Sequence, residues 1–434
     1  MNDRAFDRQI FKLTIPNILS NISVPLLSSV DTALMGTLTP MHIGAVGIGA
    51  MIFNFLYWNL GFLRMGTTGF TAQAYGRRDA IEIPSILLRA LLLSLSLAIL
   101  LLLLKYPLGN AVFGLMHIQP DTLPIVKTYF YIRMWAAPAT LGLYVLMGWY
   151  FGMQNAMIPL ALTLISNVVN IALSYYFVIY LGMEAQGVAW GTVIAQYITF
   201  IMGLFFLWRY RSKLSYITMN ALRQIQPFIR FLKVNKDIFI RTLVLTIVFA
   251  WLYRYSSSKG TLFLAVTVII LQYLNWMSYA LDGFAYAAES LTGKYYGAGE
   301  DKSTHRIIKR IFYWAGWMAM GFALLYGLGY YPIARIFTRD QTLIASLSRY
   351  RIWLAVFPLI GFASYIWDGV FIGLTASKSM RDSMVLSGIV FFISLWILSP
   401  HWPEFALWAA LMAFLAARAI FQGWIYMKHG LDMK

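Results

Sequence analysis

Four acidic side chains, Asp31, Asp282, Glu289 and Asp368, sit inside stretches that are otherwise apolar enough to cross a bilayer. A charge at the centre of a membrane helix costs at least about 2.5–3.5 kcal/mol, so such groups are usually kept for function or held by a partner. Asp31 is the clearest case. It lies about seven residues from the outer end of the first apolar stretch, hence about 10 Å deep at a rise of 1.5 Å per residue. That stretch has no basic residue within two helical turns of it. An isolated carboxylate in such a desolvated setting can load and release a proton near neutral pH.

Other polar groups fall at the same depth. Asn167, Asn170 and Ser174 recur at i, i+3 and i+7 on one face of the fifth stretch, and Thr192 lies about six residues into the sixth. Polar side chains from three helices at one level point to a hydrated pocket, with interhelical hydrogen bonding as the plainer alternative. Asp282 and Glu289 are seven apart on the eighth stretch and share a face, and Asp368 lies on the tenth. These three acids are a candidate cation site, or else a structural ion-pair cluster with Arg64, Lys294 or Arg381. Pro16 and Pro25 can bend the first helix and so move Asp31.

The elements that position these groups are long and apolar. Of 434 residues 60% are apolar and only 12% charged, which selects a membrane protein over a soluble domain. Stretches of the required ~20 residues are expected at 10–38, 43–72, 85–113, 123–150, 158–181, 186–208, 236–258, 261–292, 304–330, 342–371, 383–400 and 402–427. The fold class expected is therefore an all-α polytopic membrane protein of about twelve helices. The basic stretch 209–235 divides it into an N-terminal six-helix lobe, 1–208, and a C-terminal one, 236–434. Loops on one side carry most of the Lys and Arg, which places both termini and the basic linker in the cytoplasm.

An internal repeat accompanies the two lobes. Tyr75 and Gly76 match Tyr296 and Gly297, and Gly148 and Gly152 match Gly369 and Gly373 at the same offset. Arg133 and Trp135 precede the first glycine pair as Arg351 and Trp353 precede the second. Six spans per repeat make the lobes parallel, related by an axis along the membrane normal. The glycine pairs are packing motifs that let helix backbones approach.

Several chemistries are excluded. There is no cysteine, and the five histidines show no metal-ligand spacing. No phosphate-binding glycine loop ends in Lys-Ser or Lys-Thr, so transport should draw on an ion gradient rather than ATP, and no cofactor is expected. Hydrolase motifs are absent, and an integral membrane transferase would need a clustered active site that is not visible. The net charge of +17 reflects loop topology rather than a nucleic-acid partner.

The run from Leu13 and Pro16 through Asn21 and Pro25 to Val30, Asp31 and Thr32 resembles the multidrug and toxic compound extrusion (MATE) family. The stretches 61–69, 280–286 and 368–373 are similar to its DinF branch, and the resemblance covers essentially the whole chain. It implies a V-shaped pair of lobes around a central cavity, alternating access, and export of drugs or other amphiphiles driven by H⁺ or Na⁺. It further implies that Asp31 is the protonation site, that Asn170 and Thr192 are its neighbours, and that Pro16 marks the bend. Where relatives often carry Leu-Asp in the fifth helix, this chain has Leu173 and Ser174, which favours protonation of Asp31 alone.

The expected function is a proton-coupled antiporter of organic cations, drugs or other amphiphiles in a bacterial inner membrane, with small organic substrates, the coupling ion and the bilayer as its partners, and acting as a monomer. The alternatives are Na⁺ coupling through the C-lobe acids, or a flippase of lipid-linked precursors, for which Arg64 and Arg133 are too few.

Overall fold

Apolar runs of this length satisfy their backbone polar groups internally only as helices when surrounded by lipid. The computed structural model describes residues 3–35, 40–116, 118–216 and 225–432, apart from the side chains at 24, 26–33, 35 and 40. The described residues are helical between short connections. In the first part of the chain lie α1 (Asp3–Met35), α2 (Pro40–Asn59), α3 (Phe62–Gly76), α4 (Glu82–Leu103), α5 (Lys105–Met116), α6 (Leu123–Met134), α7 (Ala137–Gly152), α8 (Met157–Tyr175) and α9 (Glu184–Phe206). In the second lie α10 (Ile225–Ser258), α11 (Thr261–Gly297), α12 (Asp301–Phe337), α13 (Gln341–Ser348), α14 (Arg351–Gly373), α15 (Ser377–Leu398) and α16 (Ala406–His429).

Among the described residues, 10 helical stretches are long and apolar enough to cross a membrane. The expected spans 43–72, 123–150 and 342–371 are each two helices, interrupted at Leu60 and Gly61, at Trp135 and Ala136, and at Arg349 and Tyr350. At the second break Pro138 sits in the first turn of α7, where its missing N–H costs no helical bond. The π turn Tyr176–Tyr180 ends α8. α10 reaches back to Ile225, so residues 225–235 of the basic stretch are helical.

The chain divides into two compact units, Leu19–Phe231 and Met1–Ile18 together with Leu232–Lys434. The boundary falls within α1, between Pro16 and Pro25, and α1 is helical through both prolines. In the Leu19–Phe231 unit α7 packs on α3, α4 and α9, and α8 packs on α9. In the other unit α14 packs on α11, α12 and α16, and α15 packs on α16. The same helix pairs recur, and with them the backbone. Left-handed residues stand at Arg78 and Gln154 in one unit and at Gly299 and Thr375, each 221 positions later, in the other.

Both cores are aromatic. Trp149, Tyr150, Phe130 and Phe53 are fully buried in one unit, and Trp408, Tyr273, Tyr326 and Phe357 in the other. Buried tyrosine hydroxyls in each core donate to carbonyls: Tyr150 to Gly203 O at 2.7 Å and Tyr326 to Tyr273 O at 2.7 Å. By contrast Leu92, Leu95, Ile99 and Leu103 present an exposed stripe along α4, an arrangement suited to lipid.

The start of α1 is tied to α12 by charge. Asp7 accepts from Arg310 Nε at 2.8 Å and Nη2 at 2.5 Å, and from Trp314 Nε1 at 2.9 Å. Burial pushes the Asp7 carboxyl up, but the hydrogen bonds from Arg310 and Trp314 outweigh it and hold the group below its ordinary value. A depressed carboxylate stabilises the fold above its unfolded pKa and loses that contribution as pH falls through the folded pKa. Asp7→Asn should therefore cost about 1–2 kcal/mol at neutral pH, discounted for partial exposure. Thermal melts across a pH series should show the two proteins converging only in acid below the ordinary carboxylate range.

Candidate functional site

The polar residues singled out in the fifth and sixth spans form a seam in the Leu19–Phe231 unit, where the second part of α1, α8 and α9 meet. Ser20 Oγ donates to Thr163 Oγ1 at 2.9 Å. One turn further, Asn167 Nδ2 donates to Ser23 Oγ at 3.0 Å and to Ser23 O at 3.2 Å. Asn170 Nδ2 donates to Thr192 Oγ1 at 2.8 Å, and Thr192 Oγ1 donates in turn to Val188 O at 2.9 Å. Asn170 and Ser174 are buried, and the Asn170 Oδ1 and Ser174 Oγ atoms have no hydrogen-bond partner among the described residues. Gly191 lets α9 come this close: a Cβ there would lie 2.6 Å from Ser174 Oγ and 2.9 Å from Ser174 N.

Ser20, Ser23 and Thr163 are site neighbours the sequence analysis did not single out. Their signal was present, since Ser20 and Ser23 are three apart on the face that continues toward Asp31. Asp31 lies in the helical part of α1, and its side chain is outside the described residues.

No group of three or more His, Cys, Asp or Glu able to hold a metal ion occurs among the described residues. Asp368 on α14 is instead enclosed by cations. It accepts from Arg241 on α10, from Arg418 Nη2 on α16 at 2.7 Å, and, through Oδ1, from Gln422 Nε2 at 2.8 Å. All four residues are buried. Two guanidinium groups supply the positive charge that a bound cation would otherwise bring, which is why this carboxylate tolerates burial. Lys294 and Arg381, the partners considered from sequence, are engaged elsewhere: Lys294 donates to Gln9 Oε1 at 3.0 Å, and Arg381 pairs with Asp237 and Asp382, each at 2.6 Å. Arg64 belongs to the other unit. Glu289 is buried and Asp282 half-buried on α11, and both are engaged with neighbours.

Described residues that are helical throughout, in repeated units with lipid-type faces, define a multi-pass helical membrane protein. The chain belongs to the MatE family: the family model matches twice, over residues 16–176 and 238–401, once in each half of the sequence. It is thus a secondary active transporter and not an enzyme. It is 36% identical over 426 residues to DNA damage-inducible protein F of Escherichia coli K12, covering 98% of this chain and 92% of that protein. It is 23% identical to the chloroplastic Protein DETOXIFICATION 44 of Arabidopsis thaliana, covering 96% and 81% of the two chains. Among solved structures, the Vibrio cholerae MATE transporter VcmN in the bent form superposes with a TM-score of 0.89 at 16% identity, over 98% of this chain and 97% of that one.

Proposed function

We propose that the chain exports organic cations, drugs or other amphiphiles across a bacterial inner membrane in exchange for protons, with Asp31 as the protonated group. The observation that carries this reading is the hydrogen-bond register between α1 and α8. Ser20 meets Thr163 and Ser23 meets Asn167, at sequence separations of 143 and 144. The same separation pairs position 31 with Ser174, at 143. Two groups near that level, Asn170 Oδ1 and Ser174 Oγ, are buried and want partners, and a buried polar atom left unpaired costs about 1–3 kcal/mol. These groups are the polar surroundings in which Asp31 is proposed to gain and lose its proton. The two protonation states would then favour different arrangements of α1, which is what coupling requires.

The hinge is proposed to lie between Pro16 and Pro25, where α1 passes from one compact unit to the other. The lobes, 1–208 and 236–434, are taken to alternate access around the basic stretch 209–235, with both termini cytoplasmic by loop charge. Sodium coupling through the C-lobe acids is disfavoured because two arginines already neutralise Asp368. The name of the Arabidopsis thaliana relative, DETOXIFICATION 44, accords with handling of toxic compounds.

The test is efflux from proteoliposomes under a pH gradient without sodium, following a fluorescent organic cation. Wild type should drive the dye against its gradient, and Asp31→Asn should lose uphill transport. An Asp31→Asn protein with full uphill efflux would sink the proposal, and a strict requirement for sodium would overturn the choice of ion.

A further inference from the structure

The first turns of α12 carry charge that the exporter reading leaves unused. Lys302, Arg306 and Lys309 follow one another at i, i+4 and i+7, and the same face continues through Tyr313, Trp317, Met320 and Leu324. All of these side chains are exposed. Thr304, Ile307, Ile308 and Ile311 on the other side of the helix are buried, so the exposed face looks away from its own unit. α12 is long and apolar enough to cross a membrane. Residues 311–334 carry no charged side chain, a run of about 36 Å against a hydrocarbon core of about 30 Å. The three cations therefore stand just beyond the apolar run, Lys309 at its edge and Lys302 about 10 Å further out, at the level of lipid headgroups. Tyr313 and Trp317 occupy the first two turns inside it, where aromatic residues anchor helices at the membrane interface.

The cations are not equivalent. Arg306 Nε donates to Asp3 Oδ1 at 2.7 Å, and the neighbouring Arg310 is held by Asp7. Lys302 and Lys309 make no ion pair among the described residues. With Asp301, His305 and Arg306 they border a concavity of about 430 Å³. His305 forms one wall, its ring centroid 5.7 Å from that of Tyr426 on α16. Asp301 marks the outer rim, in the first turn of the helix, where the dipole favours an acid. Two unanswered lysines at headgroup level attract a phosphate that carries net negative charge. A zwitterionic headgroup brings its own cation and gains less from them. The cationic face runs without a break into aromatic and then aliphatic side chains, which suits a phosphate that bears acyl chains better than a soluble one.

We propose that the start of α12 binds an anionic glycerophospholipid, its phosphate on Lys302 and Lys309 and its acyl chains along Tyr313, Trp317, Met320 and Leu324. Arg306 borders the same concavity but remains committed to Asp3, so the two lysines set the preference for net negative charge.

Native mass spectrometry of the full-length protein in detergent tests this by resolving bound lipid as phosphatidylglycerol or phosphatidylcholine of identical chains is added. Wild type should bind phosphatidylglycerol about tenfold more tightly than phosphatidylcholine. The double variant Lys302→Gln, Lys309→Gln should weaken phosphatidylglycerol by about tenfold and change phosphatidylcholine by less than about twofold. Lys233 and Lys236 on α10 are also exposed. Changing both to Gln removes the same charge and should leave phosphatidylglycerol within about twofold of wild type. Equal losses from the two lysine pairs would overturn the proposal, because any basic helix end would then serve, and so would equal wild-type affinity for the two lipids. Displacement of bound lipid by excess inorganic phosphate would overturn it in favour of a soluble anion. A wild-type dimer that the α12 variant abolishes would overturn it in favour of a second copy of this chain. Asp31→Asn should bind phosphatidylglycerol as wild type does, since the site requires neither a gradient nor the coupling residue.

Discussion

Asp368→Asn should be the most destabilising carboxylate substitution in the protein, costing about 3–5 kcal/mol, because it strands two buried guanidinium groups. Asparagine preserves the shape and can still accept from Gln422, so the loss isolates the charge. Arg241, Arg418 and Asp368 come from α10, α16 and α14, and their contact is what joins three helices at one buried point. Pairing the change with Arg418→Met should recover part of the loss, since one uncompensated cation then remains instead of two. Thermal melting of the purified protein, followed by size-exclusion of the soluble fraction, reads the effect. If Asp368→Asn melts like wild type and yet loses transport, the carboxylate serves the coupling ion and its enclosure by arginine is secondary. Asp31→Asn is expected to do the reverse, losing uphill efflux with little change in melting.

These two acids also show what was legible in the sequence. Counting residues from the end of an apolar stretch gives depth, because a helix rises uniformly. Depth placed Asn170 and Thr192 at one level, and they hydrogen bond at 2.8 Å. Depth does not give the lateral neighbour. Arg241 and Arg418 lie 127 and 50 residues from Asp368 in other helices, and nothing local announces which faces meet. The existence of the helices was readable because each needs only an apolar run of about 20 residues. The breaks at Leu60, Trp135 and Arg349 were not, apart from the hint of Pro138, because a membrane helix can carry or lack a break in the same composition. The unit boundary inside α1 was equally hidden. It depends on which neighbours each part of a continuous helix packs against, not on any change in the helix itself.

Gly148→Ala and Gly369→Ala should each destabilise the protein by about 1–3 kcal/mol, and to a similar extent, although they lie in different units. A Cβ at Gly148 would stand 2.4 Å from Arg64 O, and one at Gly369 would stand 2.3 Å from Ala285 O. Arg64 and Ala285 are themselves 221 residues apart, the offset that separates the two glycines. One turn on, Gly152 meets Thr71 and Ala72, and Gly373 meets Glu289 O at 2.7 Å. The obstacles include backbone atoms of α3 and α11, which cannot swing aside as a flexible side chain can, so α7 and α14 must each back away along their length. Gly321→Ala in α12 is the control: it is exposed with nothing within 4 Å of its Cβ, and it should be neutral or gain up to about 1 kcal/mol from helix propensity. Melting temperatures of the three variants decide the matter. Parallel losses at the two repeat glycines with none at the control would place the helix crossings α3–α7 and α11–α14 as the shared structural joint of both units. Unequal losses would mean that one unit has relaxed a contact the other still requires, and that the repeat persists there in sequence but no longer in energy.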